Sequence, residues 1–319
     1  MKKFISILTL AVALTGCNNS HTVPLQPYDR SKLSVICPTG APALAFYNYS
    51  KLSNFETNSD PQTGILPQMI AGQKDIVVLP TNAGMQAILN RGANYQIAAT
   101  ITFGNFYLLS MGNDENNELD ANDKILLFQK GNVPDKIFHY VYGDTYDANT
   151  YYVSAVSDAA AAANAGSFVD AESGDRLVPN YVLLAQPVLQ TVLKNNTTYS
   201  VYANMQEKYK EKSNNLPLFQ ASIFVNKNTD SEPVRSFLHS LKVDINNALK
   251  NGDLISEALA DSTEIKTMYG IQPSVAAAIT KNGNGMGLGF ASAKENKEAV
   301  ENFLKLFNIE GVNEEVYLE

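Results

Sequence analysis

The sequence predicts an α/β protein with mainly parallel sheets flanked by helices, divided into about two domains. Three observations carry that expectation. The chain has 319 residues, 45% hydrophobic and 18% charged, and at roughly 150 residues per domain it can build two bodies, each with a core of its own. Short apolar runs alternate with helical patterns along most of its length, the order expected of strand–helix–strand units. One run, Ile76-Val77-Val78-Leu79 after Asp75, is continuously apolar, as in a strand covered on both faces. The same composition excludes whole classes. Two cysteines rule out a disulfide scaffold, and 24 basic against 32 acidic residues give a net charge of −8, the wrong sign for a general nucleic-acid binder.

The N-terminus belongs to targeting. Lys2 and Lys3 precede an apolar run from Phe4 to Leu14, interrupted only by Ser6 and Thr9, which is short of the roughly 20 residues that span a bilayer. Leu14-Thr15-Gly16-Cys17 follows at once and looks like the lipobox of bacterial lipoproteins. That likeness implies cleavage after residue 16, lipid on Cys17, and a protein held on the extracytoplasmic face of the cell membrane. Removing residues 1–16 also removes two lysines, so the net charge falls from −8 to −10. Cys37 is then the one unlipidated cysteine, set in the β-like run Leu33–Cys37, where a buried, inert thiol is expected. Residues 17–30, with His21 and two prolines and little periodicity, read as a tether.

The folded body opens with a strand at Leu33–Cys37 and a helix at Ala41–Leu52 after the Thr39-Gly40 turn. Strands follow at Asp75–Leu79, Ile97–Thr102 and Phe106–Ser110. A polar, acidic stretch from Gly112 to Asp123 marks a domain boundary. Beyond it come a strand at Lys124–Phe128, a helix from Pro134, whose missing N–H suits a first turn, a strand at Tyr151–Ser154, an alanine-rich helix at Ser157–Ala165 and a strand at Val182–Ala185. The last third adds a strand at Ala221–Val225 and a helix opened by Pro233. Val234, Phe237, Leu238, Leu241, Ile245, Ala248 and Leu249 make its buried face. A final helix at Ala293–Phe307 buries Val300, Phe303, Leu304 and Phe307.

In this order the residues resemble a known family, the lipid-anchored solute-binding proteins of ABC importers in the nitrate, sulfonate and taurine-like group. The resemblance is carried by Pro38–Ala45 after the first strand, by Gly72–Ala83 with its Gly-x-x-Asp…Pro-Thr-Asn pattern, by Gly104–Leu108, by Gly131–Asp135 and by Ala185-Gln186-Pro187. Gln186 departs from the pattern, in which glutamate often precedes this proline. The resemblance implies a type II periplasmic-binding-protein fold, two-lobed, with a ligand cleft between α/β lobes joined by two crossings. Lobe 1 would comprise residues 31–111 and 223–319, lobe 2 residues 112–222, with crossings near Ser110–Gly112 and Leu218–Ser222. It also implies a small-molecule ligand delivered unchanged to an ABC permease, with a monomeric body.

Ligands of open α/β sheets lie beyond the carboxyl ends of the strands, among loops and helix N-termini. The candidate binding residues are therefore Thr39, Gly40, Ala41, Pro42, Thr81, Asn82, Gly104 and Asn105 on one lobe, and Lys130, Asn132, Ser154, Ser157 and Gln186 on the other. With Lys130 the only cation among them, a polar zwitterion or weakly charged heterocycle fits better than a multiply charged anion. Catalysis has little to stand on. His21, His139 and His239 are far apart in sequence with no metal-ligand spacing, and no nucleophile elbow or phosphate-binding loop is present; no cofactor is expected. The Gly283–Gly289 run lacks the context of a dinucleotide fingerprint and reads as a flexible turn. An enzyme on the same fold, or a surface interaction lipoprotein without a transport role, are the alternatives.

Overall fold

The computed structural model describes residues 28–112 and 118–319. The leader, the lipid-attachment motif with Cys17 and most of the tether lie outside the described residues. The first sheet draws on β1 (Val35–Pro38), α1 (Ala41–Leu44), β2 (Phe55–Asn58), α2 (Leu66–Ile70), β3 (Ile76–Pro80), α3 (Thr81–Arg91) and β4 (Tyr95–Thr102). The second body follows with β5 (Phe106–Ser110), β6 (Ile125–Phe128), α4 (Val133–Tyr142), β7 (Thr150–Val153), α5 (Val156–Ala165), the small pair β8 (Phe168–Val169) and β9 (Arg176–Leu177), β10 (Tyr181–Ala185), α6 (Val188–Asn195), β11 (Ser200–Asn204) and α7 (Met205–Lys212). The chain then returns through β12 (Ala221–Asn226), α8 (Ser231–Lys250), α9 (Asp253–Ala258), α10 (Thr263–Tyr269), α11 (Pro273–Lys281), β13 (Leu288–Ser292) and α12 (Lys297–Lys305).

Two main sheets result. The first has the strand order β13-β4-β12-β3-β1-β2 and the second β11-β5-β10-β6-β7. Their central strands β12 and β10 are buried at every residue, which explains why these segments read as unbroken apolar runs. The sheets are mixed rather than mainly parallel. β1 runs parallel to β2 and β3, and β6 parallel to β7 and β10, because helices return the chain between them. β12 lies antiparallel to both β3 and β4, and β5 antiparallel to β10 and β11, because each enters its sheet from the opposite lobe.

That topology moves the expected boundary. β5, expected at the end of lobe 1, pairs in the second sheet along Phe106–Ser110. The first crossing is therefore Phe103-Gly104-Asn105, eight or so residues before the acidic stretch. β12, expected to straddle the return, lies wholly in the first sheet, so the second crossing is the segment between α7 and β12.

Packing explains two further departures. The helix expected over Ala41–Leu52 stops at Leu44 and continues as a 3₁₀ turn at Tyr47–Tyr49. Phe46 and Tyr49, three residues apart, are brought to one side, with ring centroids 5.4 Å apart, where Phe55 and Phe237 complete an aromatic cluster. Burying Phe237 alone contributes on the order of 1.5–3 kcal/mol and docks α8. On that helix Val234, Phe237, Leu241, Ile245 and Ala248 are buried, while Leu249 turns outward. The C-terminal end of the expected tether is also anchored: Arg30 Nη2 donates to both Asp244 carboxylate oxygens at 2.7 and 3.0 Å, and Tyr28 packs edge-on against Phe237 at 5.8 Å. Cys37 is fully buried, and burial pushes its thiol pKa well up, so it is an inert core residue.

Candidate ligand cleft

The loops after β1 and β3 spend most of their hydrogen-bonding capacity inside the first lobe. Thr39 N–H donates to Asn58 O at 3.1 Å, and Gly40 N–H to Tyr269 O at 2.8 Å. Ala41 and Pro42 open α1, with Ala41 buried. The Thr81 hydroxyl, expected to face solute, is fully buried and shares a 2.7 Å hydrogen bond with Ser222 Oγ, which shares another with Thr100 Oγ1 at 2.7 Å. This hydroxyl chain stitches α3 and β4 to β12. Asn82 beside it differs: it is buried and its Oδ1 has no hydrogen-bond partner.

The first crossing meets the end of β10. Asn105 Nδ2 donates to Gln186 O at 3.0 Å, and Gln186 N–H to Asn105 O at 3.0 Å. Both side-chain oxygens, Asn105 Oδ1 and Gln186 Oε1, are buried without a partner. Gly104 is held between Gln206 and Leu218, where a Cβ would come within 2.4 and 2.7 Å, so its part is to pass the chain between lobes. Lys130, Asn132, Ser154 and Ser157 lie exposed beyond β6 and β7. Lys130 Nζ stands 4.8 Å from the centroid of the Tyr152 ring.

A cavity of about 460 Å³ opens between the lobes. One wall is Tyr107, Gln186, Leu189, Gln190 and Val201; the other is the α11 face Ser274, Val275, Ala278 and Ile279 with Asn282, Gly283 and Gly285 from the loop after it. Of the thirteen expected binding residues only Gln186 lines it. The α11 wall was missed because residues 251–292 hold four short elements with no long periodic signal; Val275 and Ile279, one helical turn apart behind Pro273, were the available clue. The loop after α11 also ties the lobes together. Phe103 N–H donates to Gly287 O at 2.8 Å, and Tyr107 Oη approaches Gly285 O at 3.5 Å. The glycine run expected to be a free turn is a strap laid on the first crossing.

A second cavity, about 420 Å³, lies at the outer edge of lobe 2 among Lys130, His139, Asp147, Tyr152 and Glu172. Behind it Asp135 accepts from Tyr152 Oη at 2.8 Å and from Gly131 N–H at 2.7 Å, and lies 3.0 Å from His139 Nε2. Burial pushes the Asp135 carboxyl up, but the hydrogen bonds from His139, Gly131 and Tyr152 outweigh it and hold the pKa below the usual carboxylate range. The bond to Asp135 in turn raises His139 against the effect of its burial. His139 also sits with Asp144 and Asp147, their ligand atoms within 4.8 Å of one another; sequence spacing had set His139 apart because both carboxylates arrive from the 3₁₀ turn that follows α4.

Comparison with known proteins adds two findings. Residues 1–18 match the model for the prokaryotic membrane lipoprotein lipid attachment site. No curated protein matches the chain. Among solved structures, an ABC transporter protein of Parabacteroides distasonis is 18% identical, with a TM-score of 0.67 over 86% of this chain and 91% of that one. The periplasmic aliphatic sulphonate binding protein SsuA of Escherichia coli is 13% identical, with a TM-score of 0.61 over 86% of each chain. A Candida albicans gene product with the generic periplasmic binding protein structural fold is 12% identical, with a TM-score of 0.51 over 89% of this chain and 92% of that one. At these identities the likeness establishes the fold, which is the two-lobed periplasmic-binding-protein fold expected from the sequence.

Proposed function

We propose that the chain is an extracytoplasmic solute-binding lipoprotein that holds a small polar solute between its lobes and delivers it, chemically unchanged, to an ABC permease. The observation that carries this reading is the interlobe cavity, whose two walls come from opposite lobes that, among the described residues, are joined by two crossings. Ligands of such folds are held where loops at the carboxyl ends of strands converge. Gln186, which lines the cavity, fits a polar solute, since its side-chain oxygen is without a partner among the described residues and buried acceptors are ordinarily paired. The lipid-attachment match at residues 1–18 supports an anchor at Cys17, and among the described residues no helix is long and apolar enough to cross a membrane.

Native mass spectrometry of the full chain, purified from its own membrane in detergent, tests the proposal. It should carry a small molecule that dissociates on denaturation with its mass unchanged. A chain that carries none, and whose melting temperature no sulfonate, nitrate, amino acid, pyrimidine or vitamin precursor raises, would contradict it; so would turnover of the bound molecule.

A further inference from the structure

We infer that the cavity between α6 and α11 takes an uncharged solute with an apolar body and a hydrogen-bond-donating head, and that Gln186 reads the head. This deepens the solute-binding reading and rests on it. Among the described residues, no Asp, Glu, Lys, Arg or His lines the cavity. Leu189, Ala278 and Ile279 supply apolar wall, and Val201 and Val275, both exposed, form an apolar rim. Gln186 is 6% exposed, and its Oε1 is a buried acceptor with no partner among the described residues. Rotation of its terminal amide toward the cavity would let a ring N–H or carboxamide on the solute supply one.

The helix ends do not supply the missing positive charge. At the start of α11, Ser274 N–H already donates to Asp261 Oδ1 at 3.0 Å, and Ser274 Oγ to Asp261 Oδ2. The α6 N-terminus is left, equivalent to about half an elementary charge. A full anion binding here would give up part of its hydration for less than one compensating charge, which is unfavourable. A sulphonate, the class named for the E. coli structure, is therefore disfavoured in this cavity.

Gly285 sets the width. A Cβ at that position would lie 3.1 Å from Ile279 Cγ2, 3.4 Å from Tyr107 Oη and 3.5 Å from Gln186 Cγ. All three neighbours line the cavity, so a larger side chain there would grow into it.

The test titrates the full-length chain in detergent micelles with matched probes in which one aromatic or aliphatic stem bears a carboxamide, a carboxylate or a sulfonate, read by ligand-observed NMR. Carboxamides should bind at least tenfold more tightly than the anions on the same stem. Gln186→Leu should weaken them about 5- to 150-fold, the range for one lost buried hydrogen bond, and Gly285→Leu should abolish binding. Each variant is checked for an unaltered cooperative melt, and Gln186→Leu carries the test if Gly285→Leu does not fold. Anions binding as well as carboxamides would overturn the solute class. Carboxamide binding untouched by either substitution would overturn the location, and failure of every probe would overturn the inference as a whole. In each of these cases a native solute returned unchanged by mass spectrometry would leave the wider solute-binding reading standing.

Discussion

Replacing Gly287 with alanine should destabilise the protein by about 1.5–3.5 kcal/mol, and the structure divides that cost into parts. Gly287 has φ +65°, a left-handed conformation that costs a residue with a Cβ roughly 1–2 kcal/mol. An added Cβ would also lie 2.0 Å from Gly104 O, a distance that no repacking of side chains can relieve because the obstruction is backbone. The strap must lift, and lifting breaks the 2.8 Å bond from Phe103 N–H to Gly287 O, worth about 0.5–1.5 kcal/mol. Gly283 is the control. Its φ is +86°, but a Cβ there meets nothing within 4 Å, so Gly283→Ala keeps the conformational cost and omits the collision. The assay is equilibrium urea unfolding at constant m-value. Gly287→Ala should lose about 0.5–1.5 kcal/mol more than Gly283→Ala, the lost hydrogen bond being the difference. Equal losses would refute the account of the strap as a backbone-to-backbone contact with the crossing.

Three other predictions follow from neighbouring parts of the structure. Ser222→Ala strands the buried hydroxyls of Thr81 and Thr100; urea unfolding should show a loss of about 2–6 kcal/mol at roughly 1–3 per unpaired group, with solute affinity unchanged, whereas an affinity loss without destabilisation would return Thr81 to the binding site. His139→Gln should alter the pH dependence of the melting temperature. With His139 raised by Asp135, its contribution is complete below the ordinary histidine value of about 6.5 and is lost as pH rises through the raised value. With Asp135 lowered, its contribution is present above about 3.9 and is lost as pH falls through the lowered value. The variant's deficit should therefore be largest between these limits and shrink at alkaline pH, and a deficit constant with pH would contradict the ion pair. Cys17→Ala should release the protein from membranes and abolish acyl labelling, and retention with labelling intact would place the anchor elsewhere.

Strands buried on both faces were legible because burial leaves an unbroken apolar run: Ile76–Leu79, Val182–Ala185 and Ala221–Val225 lie in β3, β10 and β12. Of the four edge strands only β7 was, through Tyr151-Tyr152-Val153; β2, β11 and β13 were not. β11 is Ser-Val-Tyr-Ala-Asn with its first two residues exposed, and β13 carries Gly289 and a single fully buried residue. Pairing partners are a further loss, since nothing local in Phe106–Ser110 tells which sheet it joins. At the site, residue type was a weaker guide than direction. Thr81 and Asn82 are adjacent in one motif, yet the Thr81 hydroxyl is consumed by Ser222 while Asn82 keeps an unpaired oxygen. The α11 wall faces Gln186 across the two lobes, from nearly a hundred residues further along the chain, a proximity that sequence spacing does not encode.

Capture between lobes requires that solute favour a closed arrangement by binding it more tightly. The most direct measurement is an interlobe distance distribution from spin labels at Lys51 and Ala161, which are exposed on the first and second lobes, recorded with and without the solute recovered from the native protein. The account predicts that solute narrows the distribution and shifts it to the shorter distance, with hydrogen exchange slowing at Phe103–Asn105 and across residues 213–220. A tightly bound solute that leaves both the distance distribution and the exchange of the two crossings unchanged would contradict it.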